Sequence, residues 1–122
     1  MSLQSYKELI VWQKSIDLVE EIYILTKQYP KEEIYGLNNQ SRRAVVSIPS
    51  NITEGQRRKD LPEFLYFLRI ADASSAELET QIIIAKRLYP NLNYVKVDSL
   101  LGEVQKMLNV LMQKLKEKTR SC

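Results

Sequence analysis

Small and apolar residues recur through the second half of the chain in strict alternation of four- and three-residue steps. They are Phe64, Leu68, Ala71, Ser75, Leu78, Ile82, Ala85 and Tyr89. A repeat of 3.5 residues is the signature of an α-helix whose apolar seam stays against another helix. The same rhythm returns in Val97, Leu101, Val104, Leu108, Leu111 and Leu115. A third stripe runs through Leu9, Trp12, Ile16, Val19, Tyr23 and Thr26. No segment alternates with the two-residue period of a strand.

Helix limits follow from prolines and caps. The first helix is expected from about Tyr6 to Tyr29, where Pro30 ends it, and the connector "PKEEIYG" leads to a second helix. The third opens at "DLPEF", where Asp60 or Leu61 can cap and Pro62 suits the first turn, and Pro90 closes it. The fourth begins near Asn93 or Tyr94. Only 3 glycines and 4 prolines are available for turns, so a few long elements are expected. At 122 residues the chain is expected to be one domain, 1–122. The expected architecture is an all-α, up-and-down antiparallel four-helix bundle with left-handed supercoil.

The seams leave apolar residues over. Val11, Leu18 and Leu25 form a second line on the first helix, and Leu65, Phe67, Ile70, Ile83 and Ile84 lie off the seam of the third. Two readings stay open: a wide core face, or a subunit interface.

Composition excludes much chemistry. The chain has no histidine, so a His general base, a Ser-His-Asp triad and His-ligated metal sites are impossible. Its one cysteine, Cys122, can neither form an internal bridge nor build a cysteine zinc site. Gly36, Gly55 and Gly102 are too far apart for a phosphate loop. No cofactor is expected. "MSLQSYKEL" lacks the form of a secretory signal, no apolar run approaches the roughly 20 residues of a membrane span, and a cytoplasmic protein is expected.

The second helix carries a fault, "SRRAVVSIPSNITEGQRRKD", with Pro49 at its centre. An interior proline costs about 3 kcal/mol. The residue before it avoids helical geometry, so Ile48 is the expected bend, and a kinked continuous helix is favoured over a break. Ser47 and Ser50 can hydrogen-bond the groups the proline frees, Asn51 and Glu54 have the spacing of a cap, and Gly55 can end the turn in a left-handed conformation.

Charge divides along the chain. Residues 42–59 hold five basic side chains and one acidic, whereas residues 60–80 hold one basic and five acidic. Antiparallel packing of these helices suggests that Arg42 or Arg43 pairs with Glu77 or Glu79. The expected polar network is Arg42, Arg43, Ser47, Asn51, Glu54, Glu77 and Glu79. Arg57, Arg58 and Lys59 sit at a turn with no obvious acidic partner but Asp60, and Lys114, Lys116 and Lys118 crowd the last helix. These six are the candidate contacts to nucleic-acid phosphates. A net charge of +3 permits such binding, and no stacking-aromatic motif of an RNA module is present.

"EEIYGLNNQSRRAVVSIPSNITEGQRR", followed by "EFLYFLRIADASSAELETQIIIAKRL", resembles the four-helix-bundle family encoded by intervening sequences within bacterial 23S ribosomal RNA genes. The likeness extends from the tryptophan helix to "MLNVLMQKLK". Thr53, where the family often has alanine, and "YPNLNY", where it often has a glycine-containing turn, depart from the pattern. The accessory protein of diversity-generating retroelements belongs to the same superfamily. That relationship implies a homo-oligomer, a basic pentamer that engages RNA or DNA and a protein partner such as a reverse transcriptase, without catalysis. The alternative from the residues alone is a structural or adaptor protein that docks another protein and has no nucleic-acid role.

Overall fold

The structure, a computed structural model, describes residues 5–121. Cys122 and the first four residues, which bear on the lone thiol and the N-terminal reading, lie outside it. Four helices follow one another: α1 (Ile10–Thr26), α2 (Asn39–Arg57), α3 (Leu61–Leu88) and α4 (Val95–Ser121). Each packs on its sequence neighbours, and α4 closes onto α1. Among the described residues there is no strand, and no helix is long and apolar enough to cross a membrane.

The seams of α3 and α4 face the core as their spacing requires: Leu68, Ala71, Leu78, Ile82, Val104 and Leu108 are all buried. The stripe read on the first helix is displaced. Val11, Ser15, Leu18, Ile22 and Leu25 face the core, whereas Leu9, Trp12 and Val19 are only partly buried and Tyr23 is exposed. The leftover line Val11, Leu18 and Leu25 is therefore core. A serine occupies the true seam at no net polar cost, because Ser15 Oγ donates to the Trp12 carbonyl at 2.7 Å.

Helix α1 is shorter than its apolar pattern. Tyr6–Glu8 form a separate 3-10 turn capped by Ser5, and Leu9 is extended. Two turns, Lys31–Glu33 and a wide π-type turn at Ile34–Asn38, bridge to α2, with Gly36 at a non-helical φ of −108° and ψ of −117°.

Helix α2 runs on through Pro49. Val45, Ile48 and Ile52 are completely buried around the proline. Burying each such side chain contributes about 1.5–3 kcal/mol, which outweighs the missing backbone bond. Beside the proline, Asn51 Nδ2 donates to the Ser47 carbonyl at 2.8 Å and to Ser47 Oγ at 2.9 Å, while Ser50 is exposed. These bonds brace the stretch but do not reach the Val45 carbonyl, which Pro49 leaves without its helical donor. Gly55 stays helical, and the left-handed residue is Lys59, with φ 55°. Gly55 is buried because α3 comes so close that a Cβ would lie 2.8 Å from Phe67 Cβ. Asp60 then caps α3 by accepting from the Glu63 amide at 3.0 Å.

Three tyrosines and Glu33 tie the opposite end together. Tyr89 donates its hydroxyl to Glu33 Oε2, whose other oxygen accepts from the Leu37 amide at 3.2 Å. Tyr94 donates to the Tyr89 carbonyl at 2.9 Å, and the Tyr29 and Tyr89 rings lie 5.6 Å apart. Burial, helped by Tyr94, Glu33 and Tyr89 nearby, pushes the Tyr29 hydroxyl well above its ordinary value. The bond to Glu33, then burial, pushes Tyr89 up to about 12.

Candidate nucleic-acid interface

Up-and-down order decides which chain ends meet. The start of α1, the end of α2, the start of α3 and the end of α4 lie at one end of the bundle. Arg57, Arg58 and Lys59 close α2 there, and Lys114, Lys116 and Lys118 belong to the final turns of α4. The fold thus brings all six candidate residues to the same end. Residues 54–63 and 114–120 together carry seven basic and four acidic side chains.

The six are not equally free. Arg57, Lys59, Lys114 and Lys118 are exposed, and Lys116 is half-buried. Arg58 is held: it donates to Glu54 Oε1 at 2.8 Å and to Glu63 Oε1 at 3.5 Å, and its guanidinium lies 5.1 Å from the centre of the Phe67 ring. The sequence reading found only Asp60 as an acidic neighbour. It missed Glu54 one helical turn back and Glu63 across the turn, although the i, i+4 spacing of Glu54 and Arg58 marks such a pair. Asp60 itself is used as the cap.

The expected polar network divides between two neighbours. Arg42 turns to α1, donating from Nε to Thr26 Oγ1 at 2.9 Å and from Nη2 to the Tyr23 carbonyl at 3.4 Å, with its charge 4.3 Å from the centre of the Tyr23 ring. Arg43 is exposed, as is Glu77, and Glu79 accepts from Gln105 Nε2 of α4 at 3.4 Å. Among the described residues no ion pair joins Arg42 or Arg43 to Glu77 or Glu79. Counting charge along two helices gives their signs but not the faces the charges occupy, and Arg42 lies on the face of α2 that meets α1. Ser47 and Asn51 do lie on the α3 side, where Ser47 Oγ and Ser74 Oγ share a hydrogen bond of 2.8 Å. Thr53, the departure noted in the sequence, accepts from Trp12 Nε1 at 3.0 Å and fixes the tryptophan against α2.

Among the described residues no cluster of carboxylates or thiols has the makings of a metal site. What this end of the bundle offers is a set of long cationic side chains, suited to diffuse phosphate contact and to little reading of base edges.

A search of curated proteins gives no match. Residues 7–110, most of the chain, match the family described as 23S rRNA-intervening sequence protein. Four antiparallel helices, the proline-bearing α2 and the match over that span agree: the chain belongs to the 23S rRNA-intervening sequence protein family.

Proposed function

We propose that the protein binds nucleic acid without sequence preference and without catalysis, as a cytoplasmic homo-oligomer. One observation carries the reading: Arg57, Lys59, Lys114 and Lys118 are exposed at the same end of the bundle. Phosphate contact needs charge density more than shape. Self-association would multiply a monomer charge of only +3 into a stronger local field. Exposed Ile83, Ile84 and Leu88 on α3 support such association, and the cyclic pentamer implied by the family likeness is the state expected from light scattering.

The test is binding to mixed-sequence RNA and DNA across a salt series. Each phosphate neutralised adds about −0.9 to the log–log slope on duplex DNA and about −0.7 on single strands. Arg57→Ala with Lys59→Ala is expected to flatten the duplex slope by about 1.8 per engaged subunit. Adding Arg58→Ala is expected to change it little more, because Arg58 is already occupied by two carboxylates. A wild-type protein with no salt-sensitive binding at low ionic strength would replace this reading with that of an adaptor for a protein partner.

A further inference from the structure

The seam between α1 and α4 opens into an apolar groove where the two helices leave the core. Ile10 and Val11 of α1 face Met107, Val110 and Leu111 of α4 across a volume of about 350 Å³. Its lips are bare: Ile10 is 60% exposed and Val110 51%. Lys106 and Lys114 stand on the α4 rim. Toward the middle of the bundle Lys14 and Glu103 bridge the same seam at 3.2 Å, so that end is closed by a pair already neutralised. Among the described residues neither Lys106 nor Lys114 belongs to an ion pair.

We propose that this groove docks an acidic amphipathic α-helix of a partner protein. The helix would insert apolar side chains at i, i+3 or i+4, and i+7 between Ile10 and Val110, with carboxylates meeting Lys106 and Lys114. Lys106 and Lys114 are eight residues apart on one helix, so they stand about 12 Å apart along its axis. Two carboxylates seven or eight positions apart on the incoming helix match that distance. The groove is lined by six apolar residues and two lysines, which is the helix-in-groove pattern of apolar anchors with charged flanks.

Other occupants fit less well. Nucleic acid gains nothing from this floor, since no lining residue is aromatic and no base could stack on it. A second copy in a symmetric contact would set Lys106 and Lys114 against their own counterparts. A head-to-tail copy would have to present an acidic apolar face. The largest exposed apolar group, Ile83, Ile84 and Leu88, sits beside Arg87, and exposed Tyr66 sits beside Arg69. Apolar and acidic side chains do adjoin at Ile24 beside Glu20 and Glu21, and at Ile34 and Tyr35 beside Glu32. A head-to-tail copy is therefore the competing occupant, and the oligomer mass of Val110→Asp decides between it and a partner helix. The inference shares Lys114 with the phosphate reading, but Lys106 and the apolar floor take no part in that reading, so Lys106→Glu and Val110→Asp test the groove separately from it.

The probe is a fluorescein-labelled helical peptide with leucines at the three anchor positions and two glutamates eight residues apart, titrated with full-length protein and followed by anisotropy. Saturable binding is expected. Lys106→Glu with Lys114→Glu is expected to weaken it at least tenfold, and a peptide with lysines in place of the glutamates is expected to bind that variant better than the original peptide does. Val110→Asp is expected to abolish binding while the helical circular dichroism remains, since Val110 is half-exposed. The lysine variant leaves the apolar floor intact, so it tests the idea even if Val110→Asp folds poorly. Equal affinity of wild type and charge-reversed protein would overturn the proposal. So would a fall in oligomer mass for Val110→Asp, which would give the groove to a second copy.

Discussion

Gly55→Ala sets two effects of opposite sign against each other. Alanine favours a helix over glycine by about 1 kcal/mol, and Gly55 lies inside α2, so propensity alone makes the variant more stable. Packing opposes this. The new Cβ would sit 2.8 Å from Phe67 Cβ, 2.9 Å from Phe64 Cδ1 and 3.2 Å from the Phe64 carbonyl oxygen. Two of those atoms belong to the α3 backbone or are bonded directly to it, so no rotamer change removes them and the helices must separate. Overpacking a well-filled contact costs about 1–3 kcal/mol. Parting α2 from α3 also loosens the most extensive helix contact in the bundle. The expected net effect is a loss of up to about 2 kcal/mol, and at a urea m value of about 2 kcal/mol/M the midpoint falls by up to about 1 M. Urea unfolding followed by circular dichroism measures it. A variant that gains stability would mean the helices adjust without cost, and the close-approach account of Gly55 would be refuted.

Three further substitutions follow from other contacts. Arg42→Ala is expected to cost about 1–2 kcal/mol, through the lost bond to Thr26 and the contact with Tyr23, whereas Glu77→Gln is expected to stay within about 0.5 kcal/mol; thermal melts in which the glutamate variant loses as much as the arginine variant would restore the pairing inferred from charge counting. Tyr89 keeps its proton to about pH 12 in the folded protein, whereas an unfolded tyrosine loses it near 10, so between these values the native state holds more protons and stability falls as pH rises. Tyr89→Phe is expected to make that fall shallower, with Tyr29 supplying the remainder, and identical pH profiles for variant and wild type would show that the bond to Glu33 does not set the titration.

Helices α3 and α4 were legible because their core positions are held by regularly spaced small and apolar residues. Helix α1 was not, for a reason visible in one side chain. Ser15, on the true seam, is completely buried, and its hydroxyl is satisfied by the Trp12 carbonyl three residues back. A polar residue paired in this way costs little, yet it interrupts the pattern that hydropathy follows. The neighbouring stripe through Trp12 and Val19 then looked more continuous, one residue and about 100° away from the true seam. The polar residues of α2 divide in the same manner. Arg42 and Thr53 bond α1, while Ser47 bonds α3 and Arg58 reaches Glu63. Their faces follow from helical phase, which the charge balance of a whole segment does not contain.

The basic end of the bundle admits a purely structural explanation, and magnitudes limit how far it goes. Positive side chains near a helix C-terminus interact favourably with the helix dipole, by about 0.3–1 kcal/mol each when exposed, and the effect dies away within the last turn. Helix α2 ends at Arg57 and α4 at Ser121. Arg57, Arg58 and Lys59, and likewise Lys118 and Arg120, fall within reach of those termini. Lys114 does not. It lies seven residues before the end of α4, about two turns away, and remains exposed. Lys106, exposed two turns further back, is equally beyond the dipole. Helix termini therefore account for the cations of the final turns, but not for those along α4. Charge on that helix continues past what capping rewards, alongside an apolar groove that its lysines border.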